Sequence, residues 1–149
     1  MALGDVTVII PGQLARVELL ASVVAANGAP SGGSAGLEIN ALNLFGRIPQ
    51  QVAVKLKSTA GSGTMTVTGR LWGYDGLDWN PLGNGSDGTT KGVINSGNAI
   101  TEVSADKLAH LEPVSLPAFV TRLYFEVTAI GGTSTAVTAY VQVARDAQN

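Results

Sequence analysis

His110 is the only histidine in this chain of 149 residues, and there is no cysteine. A Ser-His-Asp system needs an imidazole beside a serine on a sharp strand-to-helix turn, and no GxSxG elbow occurs. His110 lies instead in KLAHLEP, where a packed or loop position is expected. The lack of cysteine removes disulfides, thiolate metal sites and thiol nucleophiles. Glycoside hydrolysis needs two carboxylates facing each other across a cleft. Asp75 and Asp78 are too close in the chain for that and read as turn residues. GNGSDGTTK (83–91) has the glycines of a phosphate loop, but Gly88-Thr89-Thr90 stands where that motif needs Gly-Lys-Ser/Thr, so the match fails. Gly83, Gly85 and Asp87, with Asn84 and Asp78, fit one copy of the glycine/aspartate pattern of calcium-binding β-rolls. Such sites are built between stacked turns, so a single copy reads as a solvated surface loop. The expectation is a chain that is not an enzyme, with no catalytic residue, no cofactor and no metal.

More informative is RLWGYDGLDWNPLG (70–83), which holds both tryptophans and one of three tyrosines. If 64–74 is a regular strand, Trp72 and Tyr74 share the face of Thr66, Thr68 and Arg70, opposite Met65, Val67 and Leu71. Tyr124 similarly shares a face with Arg122 and Glu126, and Tyr140 with Thr138 and Gln142. These rings therefore fall on faces that alternation assigns to the outside. They can be covered by the chain's own loops, by a neighbouring subunit, or by a ligand such as a glycan ring. A bulge at Gly69 or Gly73 would flip the register and send Trp72 inward. Asp75-Gly76 is a strong two-residue hairpin signal. A turn centred there sets Trp72 opposite Trp79, with Pro81 and Gly83 ending a short edge strand.

The elements that would carry these side chains are strands. VTVII (6–10) ends at Pro11-Gly12, and Val17, Leu19, Ala21 and Val23 alternate in the next run, although its leucines and alanines also suit a helix. QVAVKLK (51–57), TMTVTGRLWGY (64–74), RLYFEVTAI (122–130) and TAVTAYVQVA (135–144) alternate more cleanly. In the third of these Leu123, Phe125, Val127 and Ala129 form one face. Ala60-Gly61-Ser62-Gly63 and Gly131-Gly132-Thr133-Ser134 read as hairpin turns joining consecutive strands. Ser104 can cap a short helical turn through Leu111. SGGSAG (31–36) reads as flexible punctuation. It divides an amino-terminal arm with the first strands (1–36) from a β-sandwich (37–149) within one domain overall.

Charged residues are 13%, against about 25% in ordinary soluble domains, and glycines are 19 of 149, close to twice the usual ~7%. With 45% hydrophobic residues this is a compact all-β composition, not a disordered one. Net charge is −2 with scattered basic residues, so no patch suits nucleic acid or an anionic membrane. The start lacks a basic region before its apolar run, and LLASVVAA (19–26) is far shorter than a membrane span. A soluble protein assembled where it is made is expected. The sequon Asn84-Gly85-Ser86 then marks a surface turn.

RLWGYDGLDWNPLG followed by LPAFVTRLYFEVTAIGGTSTAVTAYVQVA, in a short cysteine-free Gly/Thr-rich chain with an apolar start, resembles the small β-rich virion proteins of tailed bacteriophages. Head decoration (cement) proteins are the nearest in style. The resemblance carries no functional residue over. It implies a homo-oligomer, often a trimer, made in the host cytoplasm, that sits on the major capsid protein and stabilises the expanded shell without chemistry of its own. The fold expected is an all-β antiparallel sandwich, jelly-roll-like, with an extended N-terminal arm. Val6, Val8, Ile10, Trp72, Tyr74, Trp79, Tyr124 and Tyr140 are the candidate interface. The other reading is a tail-fibre or baseplate module binding a cell-surface glycan through Trp72, Tyr74 or Trp79. MALGDVTVIIPG can pair within its own subunit or add a strand to a neighbour's open edge.

Overall fold

Alternating apolar residues give each strand one side that must leave water, and two sheets facing each other satisfy all of them at once. A computed structural model describes residues 3–58, 63–83, 91–95, 99–102, 110–132 and 136–145. These residues form such a sandwich of two antiparallel sheets. One sheet contains β1 (Val6–Ile10), β2 (Leu14–Val23), β4 (Gln51–Ser58), β9 (His110–Ser115) and β11 (Val137–Ala144), in the order β1-β2-β11-β4-β9. The other runs β3 (Leu37–Glu38), β10 (Arg122–Gly132), β5 (Gly63–Tyr74), β6 (Trp79–Pro81). β7 (Val93–Ile94) and β8 (Ala99–Glu102) also pair with β5.

β1 turns into β2 through Pro11-Gly12, with Gly12 at φ +70° and Gln13 N–H donating to the Ile10 carbonyl at 3.0 Å. Proline and then a positive-φ glycine are what that turn requires. The amino-terminal segment is thus folded onto its own subunit as an edge strand. β1 and β11 both run antiparallel to β2 and flank it on either side.

Two expected hairpins do not form. β4 and β5 are consecutive yet lie in opposite sheets, and so do β10 and β11. Alternation says which side of a strand is apolar but not which sheet it joins. Arching across the core lets Val52, Val54 and Leu56 face Val67 and Leu71, instead of lining one sheet beside them. The turn residues 59–62 and 133–135 themselves lie outside the described residues, as does most of the helical turn expected at 104–111. His110 and Leu111 open β9 as strand.

Val17, Val54, Leu56, Val141, Leu71, Leu123, Phe125 and Val127 are fully or almost fully buried. Each contributes about 1.5–3 kcal/mol by leaving water. The Phe125 ring occupies the space over Gly69, where an added Cβ would come within 2.2 Å of the ring. Beyond it β10 carries a bulge between Val127 and Ala129, which returns Ile130 to the register of Val67 and puts Ala129 beside Thr68. Ala129 is therefore exposed, contrary to simple alternation. Thr128 donates its hydroxyl to the Thr68 carbonyl at 3.0 Å and holds the bulge closed.

The outer face of the first sheet is polar yet covered. Arg16 stacks over Tyr140 with its guanidinium carbon 5.1 Å from the ring centre, and Glu18 and Lys55 pair with Tyr140 from either side. Glu18 is 2% exposed, and its Oε1 meets no hydrogen-bond partner among the described residues. Burial pushes its carboxyl pKa up, and the Asp5 charge adds to this. The folded protein then holds that proton more tightly than the unfolded chain does. Glu18 favours folding below the ordinary carboxylate range, and that contribution is lost as pH rises through its raised pKa. Glu18→Gln is expected to raise the denaturation midpoint at neutral pH, with the gap to the parent closing on acidification. Equal midpoint shifts at both pH values would contradict a buried, unpaired carboxylate.

Candidate functional site

On the second sheet the outward positions of β5 and β10 are Arg70, Trp72, Tyr74 and Arg122, Tyr124, Glu126. Their register sets Trp72 against Tyr124 and Tyr74 against Arg122. The register shift beside Gly69 places its extra residue, Thr128, on β10 and not on β5, and none falls at Gly73, so Trp72 stays on the outer face, half-buried. Its indole N–H donates to Glu126 Oε1 at 2.9 Å, and Arg70 lies 5.6 Å from its ring centre.

The β5–β6 connection differs from the two-residue turn expected. Asp75, Gly76, Leu77 and Asp78 form a four-residue loop, closed by Asp75 N–H to the Asp78 carbonyl at 3.0 Å. Asp75 Oδ1 accepts the backbone N–H groups of Leu77 (2.8 Å) and Asp78 (2.7 Å), and Oδ2 accepts the Asn80 amide (3.1 Å). These donors hold its carboxyl below the ordinary range, the Asp78 and Leu77 amides first and Asn80 next. An aspartate that bonds its own following backbone makes the longer loop self-sufficient. The return strand slips accordingly: Trp79 pairs with Tyr74, and Trp72 faces Pro81. The Trp72–Trp79 pair is not formed.

What forms is a larger cluster around Trp79. Its ring centre is 5.0 Å from Tyr74 and 5.9 Å from Tyr124, the latter edge-on. Arg122 lies 4.1 Å from the Tyr74 ring centre and 5.5 Å from that of Trp79. The segment that crosses from β2 to β3 lies along this cluster as a strap. The Tyr124 hydroxyl donates to the Gly28 carbonyl (3.1 Å), the Trp79 indole to Ser31 (2.7 Å) and Arg122 to Ser34 (3.3 Å). Asn27 fixes one end by acting as an added rung on β10. It donates N–H to the Val127 carbonyl and its side-chain amide to the Phe125 carbonyl, and its Oδ1 accepts from Val127 N–H. SGGSAG thus makes specific bonds where its composition suggested only flexibility. Asn27 is the contributor that sequence patterning overlooked. Alternation already puts Arg70 and Arg122 on the faces of the rings, without assigning them to the interface.

The other candidates are dispersed. Tyr140 is on the opposite sheet and 6% exposed, and Val6, Val8 and Ile10 are on the β1 edge. Asn84 and Asp87 lie outside the described residues. Among the described residues no three His, Asp or Glu side chains gather to hold a metal ion.

Two open depressions, of about 740 and 580 Å³, flank the 116–121 loop at one end of the sandwich. Their described linings include one ionisable side chain each, Glu38 and Lys91. Neither brings together the two carboxylates or the nucleophile and base that hydrolysis requires.

Fold and site together define an antiparallel β-sandwich whose aromatic face is occupied by its own chain. No family model matches this sequence, and no curated protein or solved structure is detectably similar to it.

Proposed function

We propose that this chain is a non-enzymatic structural protein of a tailed-bacteriophage virion: a head decoration protein that binds the major capsid protein and stabilises the shell as a homo-oligomer. The observation that carries this reading is the position of the exposed apolar surface. Leu3, Val6, Val8, Ile9 and Ile10 are five of the nine large apolar side chains exposed among the described residues, and they belong to one edge. A rigid module with little charge and a concentrated apolar edge loses little to desolvation when it meets other proteins. Repetition over a lattice multiplies weak contacts into firm attachment.

The glycan reading is less well supported. A sugar platform needs aromatic faces flanked by polar donors. The Trp79 indole, the Tyr124 hydroxyl and Arg122 already donate to strap carbonyls. Expanded heads lacking the protein are expected to bind it on co-sedimentation and to gain resistance to heat and chelators. Heads that ignore the protein, together with a Trp72→Ala change that abolishes attachment to host cells, would replace this reading with the tail-fibre or baseplate one.

A further inference from the structure

Every open sheet needs its edges blunted, or they pair with another chain. Among the described residues, three of the four sheet borders are blunted. β9 carries Pro113, which has no N–H to offer. β3 is two residues long, and beyond it β10 is met by Asn27. On the far side of β5, the strands β6, β7 and β8 have three, two and four residues and include Pro81.

β1 is the exception. VTVII is five residues long, with no proline and no charge, and no other described strand pairs with its outer side. Val6 and Val8 are in register with buried Val17 and Ala15, yet they are 48% and 60% exposed. They lie on the core-facing side of the sheet, but the facing sheet ends in the two-residue β3. The one irregularity falls between Val8 and Ile10, leaving Val6–Val8 regular. Beside the start of β1 an apolar cleft of about 210 Å³ opens between the sheets, lined by Leu3, Leu19, Ala35, Leu123 and Phe125.

We propose that β1 pairs antiparallel with β1 of a second copy, joining two five-stranded sheets into one across a two-fold axis. The strand is self-complementary. A register centred on Val8 sets Val8 against its own copy and Val6 near Ile10 of the other. That brings Ile10 of the second copy to the Leu3 end, where the cleft opens. The neighbouring charges do not oppose the pairing, because Asp5 of each copy falls at opposite ends of the ladder, beside Pro11 of the other. The contact is isologous, so it closes as a dimer and not as the trimer that decoration proteins suggest. One strand edge and five side chains are less than the ~800 Å² per partner of a standard interface, so the isolated dimer is weak and concentration-dependent.

This specifies how the proposed homo-oligomer is joined and rests on that reading only for the existence of self-association. Because the chain has no cysteine, single-cysteine variants give a direct test. Val8→Cys is expected to form a disulfide-linked dimer under mild oxidation at least tenfold faster than Leu77→Cys, an exposed position in the β5–β6 loop. Light scattering from micromolar to millimolar concentration should show the parent approaching twice its monomer mass. Val8→Lys, at an exposed position, should keep the parent's circular dichroism and weaken association at least tenfold. A parent that stays monomeric at the highest concentration overturns the proposal. So does a trimer, or an oligomer that Val8→Lys leaves intact. Head co-sedimentation reads separately. Binding without self-association sinks this inference and leaves the capsid reading standing, while a β1 dimer that ignores heads does the reverse.

Discussion

Gly69→Ala is expected to be strongly destabilising. The added Cβ would lie 2.2 Å from Phe125 Cζ and 2.7 Å from Cε2, distances at which the ring must leave its place in the core. Overpacking of a close-packed interior typically costs about 1–3 kcal/mol. A clash with a ring that is 1% exposed and packed within the core belongs at the upper end. For a domain of this length about 3 kcal/mol corresponds to a fall of roughly 6–12 °C in Tm. Phe125→Leu alone loses packing. In the Gly69→Ala background it should instead recover stability, because the smaller side chain yields the space the methyl needs. A double-mutant cycle by denaturant melts reads that coupling directly. Additive losses, or a Gly69→Ala variant as stable as the parent, would show that the ring does not depend on that glycine.

The second large effect is expected at Trp79. Trp79→Ala removes ring contacts to Tyr74 and Tyr124, one of the two rings beside Arg122, and the indole bond to the Ser31 carbonyl. An aromatic pair contributes about 0.5–1.5 kcal/mol beyond its buried area, and a hydrogen bond about 1 kcal/mol. A loss of about 2–3 kcal/mol is therefore expected. The more specific consequence is local. Backbone amides over 27–34 should exchange with solvent at least tenfold faster, since the strap loses its central attachment. Trp72→Ala should leave that exchange unchanged, because Trp72 bonds to Glu126 and not to the strap. Unaltered strap protection in Trp79→Ala would mean that Asn27, Tyr124 and Arg122 hold the segment by themselves.

The two variants separate what the sequence discloses from what it conceals. Alternation in QVAVKLK, TMTVTGRLWGY, RLYFEVTAI and TAVTAYVQVA was enough to recognise an all-β antiparallel sandwich and to put Trp72, Tyr74 and Tyr124 on outward faces. Period-two patterning is a property of one strand, and the features it missed belong to pairs. Which sheet receives β4 and which receives β5 depends on how their apolar sides meet, so the expected hairpins became arches. The Thr128 bulge depends on a carbonyl of β5. The Trp79 register depends on Asp75 accepting two amides, which lengthens the turn from two residues to four. The strap is harder still to read, because beyond Asn27 its bonds from Tyr124, Trp79 and Arg122 are accepted by backbone carbonyls of glycine and serine, which carry no sequence signature. Tyr140 illustrates the reverse error. Its position on an outward face is correctly read from alternation, yet Arg16 covers it, and long polar side chains can bury a ring as completely as apolar ones do.

The placement of β2 between β1 and β11 has a mechanical consequence. Both neighbours run antiparallel to β2 and hence parallel to each other, and bonds in such ladders lie across the strands. Tension entering at the start of β1 and leaving at the end of β11 therefore slides the strands past one another and does not peel them apart. The load falls on all the rungs of both ladders together, so the seam on β2 yields only when many hydrogen bonds fail at once.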